Sequence, residues 1–133
     1  MVDVVIDTNI VVFYFRDVAK LTKLAENAVD DAVDGGTVFV PSIVLVELVY
    51  LIEKNRVPAE VLDKLRQAFD DDTTAFELAD LSRGVADELG NIDRSIVADM
   101  PDRIVAATAL YLGIPLVTSD GYIRKLTNVE TIW

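Results

Sequence analysis

A β-branched run over residues 2–6 stops at Asp7-Thr8-Asn9, three residue types that favour turns and helix N-caps, so the chain opens as a strand running into a helix. The apolar stretch 10–15 leads into 17–34, where Leu21, Leu24, Ala25, Ala28, Val29 and Ala32 recur at helical spacing until Gly35-Gly36 stops them. Residues 37–40 predict a second strand. After Pro41, Ser42 is placed to cap a helix over 42–55, a stretch too long for an ordinary strand despite its β-branched side chains. Pro58 suits the first turn of another helix, ending near Asp70-Asp71-Asp72, and 73–78 predict a third strand. Asp80 is placed to cap a helix through about Leu89, and Gly90 opens a polar loop over 91–99. Pro101-Asp102 restarts the chain as an Ala-rich helix that Gly113 ends. A short buried strand at 115–118, a turn at Asp120-Gly121, a short helix through Leu126 and a last strand at 129–133 complete the series. Strand alternating with helix predicts an α/β fold whose parallel sheet is covered on both faces.

Composition narrows the chemistry. The 133 residues are 52% hydrophobic, with no low-complexity stretch and no Pro- or Gly-rich linker, so one domain over 1–133 is expected. No segment approaches the roughly 18–20 apolar residues of a membrane span, and the opening Met1-Val2-Asp3 lacks a positively charged n-region, which predicts a cytoplasmic protein without a membrane partner. Cysteine and histidine are both absent, which removes disulfides, thiolate and imidazole ligands, and a structural zinc site. Catalysis must then rest on carboxylates, hydroxyls, Lys or Arg. The net charge of −11 argues against passive binding to a nucleic-acid backbone, and suits a basic partner peptide or life in high salt, where 16 Asp against 7 Glu keep the surface hydrated.

Four carboxylates invite a functional reading. Ligands of open parallel sheets bind beyond the carboxyl ends of the strands, where Asp7 and Asp120 both fall. Each has an equal structural explanation, Asp7 as a helix cap and Asp120 in an Asp-Gly turn. Glu47 interrupts an otherwise apolar helix and needs a partner, unless it shares a solvent stripe with Lys54 two turns on. Asp102 begins the Ala-rich helix, where free N–H groups favour a carboxylate in any case. Four converging carboxylates repel one another, and a hard divalent cation, Mg²⁺ or Mn²⁺, resolves that conflict with oxygen ligands alone.

Five blocks carry a family resemblance: Val4-Val5-Ile6-Asp7-Thr8-Asn9; Pro41-Ser42 leading to Val46-Glu47-Leu48; Pro101-Asp102-Arg103-Ile104-Val105-Ala106-Ala107-Thr108-Ala109; Pro115-Leu116-Val117-Thr118-Ser119-Asp120; and Val129-Glu130-Thr131-Ile132-Trp133. In this order and spacing the sequence resembles the PIN-domain family, known also from the N-terminal part of PilT-like proteins, and within it the VapC-type toxins of toxin–antitoxin pairs. The resemblance implies a three-layer α/β/α sandwich with a five-stranded parallel sheet. It implies Mg²⁺- or Mn²⁺-dependent cleavage of single-stranded RNA, with Asp7, Glu47, Asp102 and Asp120 as catalytic metal ligands and Thr8, Asn9 and Thr118 as polar helpers. It also implies a small antitoxin whose basic C-terminal segment occupies the acidic site, and a homodimer. Where many relatives have His before the Asp-bearing segment this chain has Val97-Ala98-Asp99-Met100, so Asp99 is a further candidate beside Asp102. Arg16, Lys20, Lys23, Lys54, Arg56 and Arg103 are the candidate RNA contacts, against a plain reading as solvated helix faces.

Two other phosphoryl-transfer classes fit poorly. A haloacid-dehalogenase-like phosphatase needs an acid two residues after the first, where Asn9 stands, and a receiver domain needs paired acids after its first strand. A non-catalytic PIN-like binding or scaffold module, its acids held by a basic partner peptide, is the alternative function.

Overall fold

A computed structural model of the protein describes residues 2–133; Met1, with which the expected domain begins, lies outside the described residues. Strand β1 (Val4–Ile6) is buried along its whole length, with Val4, Val5 and Ile6 all 3% exposed or less. Successive side chains of a strand point to opposite faces, so burial of all three means that both faces of the sheet are covered there. The remaining strands are β2 (Val38–Pro41), β3 (Phe76–Ala79), β4 (Leu116–Val117) and β5 (Thr131–Ile132). They form one five-stranded parallel sheet in the order β3-β2-β1-β4-β5. Val5 lies between Phe39 of β2 and Leu116 of β4.

Helices α1 (Thr8–Arg16), α2 (Lys23–Gly35), α3 (Ser42–Glu53), α4 (Ala59–Asp70), α5 (Arg83–Glu88) and α6 (Met100–Leu112) complete the three-layer α/β/α sandwich. Helix α2 packs on β1, β2, β4 and β5, while α3 and α6 pack on β2 and on each other, and α1 packs on α4. The core is aliphatic, with Ile6, Ile10, Val29, Leu48, Leu65, Val105 and Leu116 almost fully buried.

Several boundaries differ from the sequence reading for local reasons. The helix expected over 17–34 starts only at Lys23, because Thr22 accepts a hydrogen bond from the Ala25 N–H and caps it, and a single 3-10 turn fills Val18–Lys20. Leu24 lies off the face of α2 that buries Ala25, Val29 and Ala32 and is 61% exposed. Ser42 does not cap α3; its hydroxyl accepts the Leu81 N–H and fastens the segment after β3. Ser82, and not Asp80, caps α5, and a 3-10 turn at Leu89–Asn91 extends that helix into the expected loop. Gly113 ends α6 in the left-handed conformation at φ 69, as a C-terminal glycine should.

Candidate acidic site

After β1 the chain moves to β2 and β3 on one side, then crosses to β4 and β5 on the other, so the order of the sheet reverses between β1 and β4. Such a switch point leaves a crevice at the carboxyl edge. Asp7 follows β1 and Asp120 lies just beyond β4, so both carboxylates belong to this edge. A helix that follows or precedes a parallel strand runs against it. The N-terminal halves of α3 and α6 consequently reach the same edge, and bring Glu47 from the second turn of α3 and Asp102 from the first turn of α6. Asp7, Thr8, Asn9, Glu47, Leu51, Asp102 and Asp120 line one cavity of about 180 Å³ there, and no Lys or Arg lines it.

Asp7 is the most constrained of the acids, only 7% exposed. One carboxylate oxygen accepts the Ile10 N–H at 3.1 Å and caps α1, and the other accepts the hydroxyl of the fully buried Thr118. Burial still outweighs both bonds, helped by the charges of Asp120 and Glu47, and pushes the Asp7 carboxyl up to about 6. Thr118 does not line the cavity, but its oxygen also accepts the Asp120 N–H at 3.1 Å, so one hydroxyl sets two acids. Asp120 in turn spends one oxygen on the Tyr122 and Ile123 N–H groups, both at 2.9 Å, which closes the turn behind it.

Glu47 is not on a stripe with Lys54. It accepts the Thr8 hydroxyl at 2.7 Å, joining α3 to the start of α1, while the Lys54 ammonium lies 5.4 Å from the Tyr50 ring centre. Partial burial raises the Glu47 carboxyl, the Thr8 bond opposes this, and the Asp99 charge adds to the rise. Asp102 sits in the first turn of α6 and is pushed up to about 7, by burial first and then by Asp120, Asp99, Glu47 and Asp7. Asp99 is exposed, does not line the cavity, and caps α6 by accepting the Asp102 N–H at 3.1 Å. Its Ncap geometry was legible in the Asp-Met-Pro-Asp order, since Pro favours the first turn.

Sequence reasoning missed Leu51, one helical turn after Glu47 and therefore on the same face. Of the cations considered for RNA, Arg103 is committed elsewhere. Its guanidinium donates to the Leu89 and Ile92 carbonyls at 3.0 and 3.2 Å, and its Nε is buried without a partner. Lys23 pairs with Glu26 on its own helix.

The donor set consists of carboxylate, hydroxyl and amide oxygens, which suits a hard cation. Among the described residues no three acids are arranged to hold an ion as they stand. As it stands the site is an open cavity lined by these oxygen donors.

Sheet order and acid-lined crevice define an α/β protein with an anionic site at the switch point of a parallel sheet. Residues 4–129 match the PIN domain family, and the chain belongs to that family. No curated protein matches the sequence. Among solved structures it is similar to a chain of VapBC2 from Rickettsia felis, solved bound to a DNA fragment from their promoter, at 20% identity and TM-score 0.73 over 97% of this chain and 96% of that one. It is similar also to a chain of DNA-bound VapBC from Salmonella typhimurium, at 20% identity and TM-score 0.72 over 98% and 97%. FitAcB from Neisseria gonorrhoeae follows at 18% identity and TM-score 0.63 over 96% and 95%. At these identities the likeness establishes the shared fold.

Proposed function

We propose that this PIN-domain protein is a Mg²⁺- or Mn²⁺-dependent endoribonuclease of the VapC type, the toxin of a toxin–antitoxin pair, acting in the cytoplasm on single-stranded RNA. The observation that carries the reading is the gathering of Asp7, Glu47, Asp102 and Asp120 around one cavity that no cationic side chain neutralises. Family membership and the fold shared with VapBC chains support it.

In this reading the four acids hold the cation, with Thr8, Asn9 and Thr118 as their polar support. The chemistry a bound Mg²⁺ or Mn²⁺ supplies is Lewis acidity toward water and phosphoryl oxygens. The chain's own part is preorganisation. Asp7 is locked between a backbone N–H and Thr118, and Thr118 locks the backbone of Asp120. Thr8 holds Glu47 toward the cavity, and the N-terminus of α6 favours an ionised Asp102 once a cation offsets its neighbours. Phosphodiester hydrolysis by water then leaves a 5′-phosphate and a 3′-hydroxyl, and needs no 2′-OH. Purified protein with Mn²⁺ and a labelled RNA, beside a chelator control and Asp7→Asn, tests this. Cleavage confined to the first condition supports the reading, and equal products in all three overturn it.

The same uncompensated acids suit an antitoxin with a basic C-terminal segment. Exposed Val46, Val49 and Tyr50 on α3 supply an apolar surface for a homodimer. A second reading, a non-catalytic module whose pocket holds a basic partner, draws on the lack of a ready metal-holding group among the described residues. An Arg-containing peptide that binds equally well with and without Mn²⁺, to a protein that cleaves nothing, favours that reading.

A further inference from the structure

On a chain of net charge −11, acids without a basic neighbour line several cavities among the described residues. The acidic site, the cavity beside β3 with Asp71, Asp72 and Glu77, the one at the end of α6 with Glu130, and the one beside β1 with Asp3 and Asp31 contain no Lys or Arg. A further cavity departs from this. It is lined by Val12, Phe13, Arg16, Asp17 and Lys20, with two cations against one acid. Arg16 and Lys20 are exposed, and neither belongs to the ion pairs formed among the described residues, Lys23–Glu26 and Arg83–Asp87. The Lys20 ammonium lies 5.8 Å from the centre of the Phe13 ring, and both side chains line this cavity with Arg16.

The placement of this cavity gives it meaning. Helix α1 begins at the acidic site, where Asn9 is exposed and lines the crevice. Residues 9, 13 and 16 share one face of a helix, and at about 1.5 Å per residue Arg16 lies about 10 Å along the axis from Asn9. A stacked strand advances about 3.4 Å per nucleotide, so the interval corresponds to about three nucleotides. The opposite face of α1, Ile10 and Val11, is fully buried, so this outer face is the one open to a ligand.

We propose that the outer face of α1, from Asn9 past Phe13 to Arg16 and Lys20, is a secondary binding site for the phosphodiester backbone of single-stranded RNA, engaged about three nucleotides from the bond at the acidic site. The proposal rests on the nuclease reading for its polarity, since the acidic site defines where the track begins. Arg16 and Lys20 supply the attraction that the crevice itself, without its cation, lacks. Val12 and Phe13 form an apolar floor under the sugar.

The test compares Arg16→Ala/Lys20→Ala with a control of equal charge change, Arg66→Ala/Arg94→Ala, whose side chains are exposed and line neither cavity. Cleavage is measured with an RNA octamer and with a dinucleotide, which is too short to reach Arg16. The expected result is a KM for the octamer raised about tenfold in the first variant only, with kcat and dinucleotide cleavage unchanged. Octamer binding to each pair in an Asp7→Asn background, followed by fluorescence anisotropy across salt concentrations, gives an independent reading. Loss of two phosphate contacts lowers the slope of log affinity against log salt by about 1.4. Equal effects of the two pairs, or an unchanged slope, overturn the proposal while leaving cleavage intact. Failure of the native protein to cleave any RNA overturns the nuclease reading instead, and the salt slope still decides the binding site.

Discussion

Thr118 has no exposed surface, yet its hydroxyl serves both the buried Asp7 carboxylate and the Asp120 N–H. Thr118→Val keeps the shape and removes both bonds. A buried acceptor that loses its donor costs about 1–3 kcal/mol, so urea unfolding at pH 7 should show a loss of that size, and an unchanged midpoint would refute the role assigned to the hydroxyl. Asp7 itself makes stability depend on pH in an unusual direction. Its native value of about 6 lies above the ordinary 3.8, so between those values the folded protein holds a proton that the unfolded chain has released. The stabilisation is complete below about pH 4 and is lost as pH rises through 6, a swing of about 3 kcal/mol for this group. Asp102, at about 7, extends the loss toward neutrality. Thermal unfolding of metal-free protein should therefore show a falling melting temperature from pH 4.5 to 7.5, and Asp7→Asn should flatten the part below pH 6.5. A native profile that rises over this range would contradict the burial assigned to Asp7.

Helix α6 shows how elements hold the site. Asp99 caps it, Asp102 rides in its first turn, and Arg103 reaches back to the Leu89 carbonyl that begins the 3-10 turn after α5 and to the Ile92 carbonyl just past its end. Asn128 donates to the Asn91 carbonyl at 2.8 Å, so the turn is held from two sides. Arg103→Met should cost about 1–3 kcal/mol and speed amide exchange over 89–99, while exchange in α2 stays unchanged. At the other end of α6, Gly113→Ala forces a Cβ into the left-handed region and should cost about 1–2 kcal/mol by denaturant unfolding. These elements were only partly legible in the sequence. The strands and the long helices follow from apolar runs bounded by Gly, Pro and Asp, because burial on both faces leaves a continuous hydrophobic signature. Helix starts were harder, since Asp17, Thr22, Ser42, Asp80, Ser82 and Asp99 are all chemically able to cap, and which ones do depends on tertiary partners such as the Leu81 N–H that takes Ser42. Glu47 stood out as a charge in an apolar helix, but only the fold supplies Thr8 as its partner, 39 residues away.

Across the whole molecule, charge and topology act together. The parallel sheet brings acids from four distant segments to one edge, and a chain of net charge −11 offers them no compensating Lys or Arg at the cavity. No helix among the described residues is long and apolar enough to cross a membrane. That Asp7 and Asp120 lie beyond strand ends was readable in sequence, whereas their adjacency depends on β1 pairing with β4, a contact more than 100 residues apart along the chain. The most direct measurement of a shared cation is Mn²⁺ binding by calorimetry at pH 7.5 to the native protein and to Asp7→Asn, Glu47→Gln, Asp102→Asn and Asp120→Asn. Each single change should weaken Mn²⁺ at least about tenfold, with release of protons on binding to the native protein. Unaltered affinity in all four variants would mean that these carboxylates do not hold a common ion.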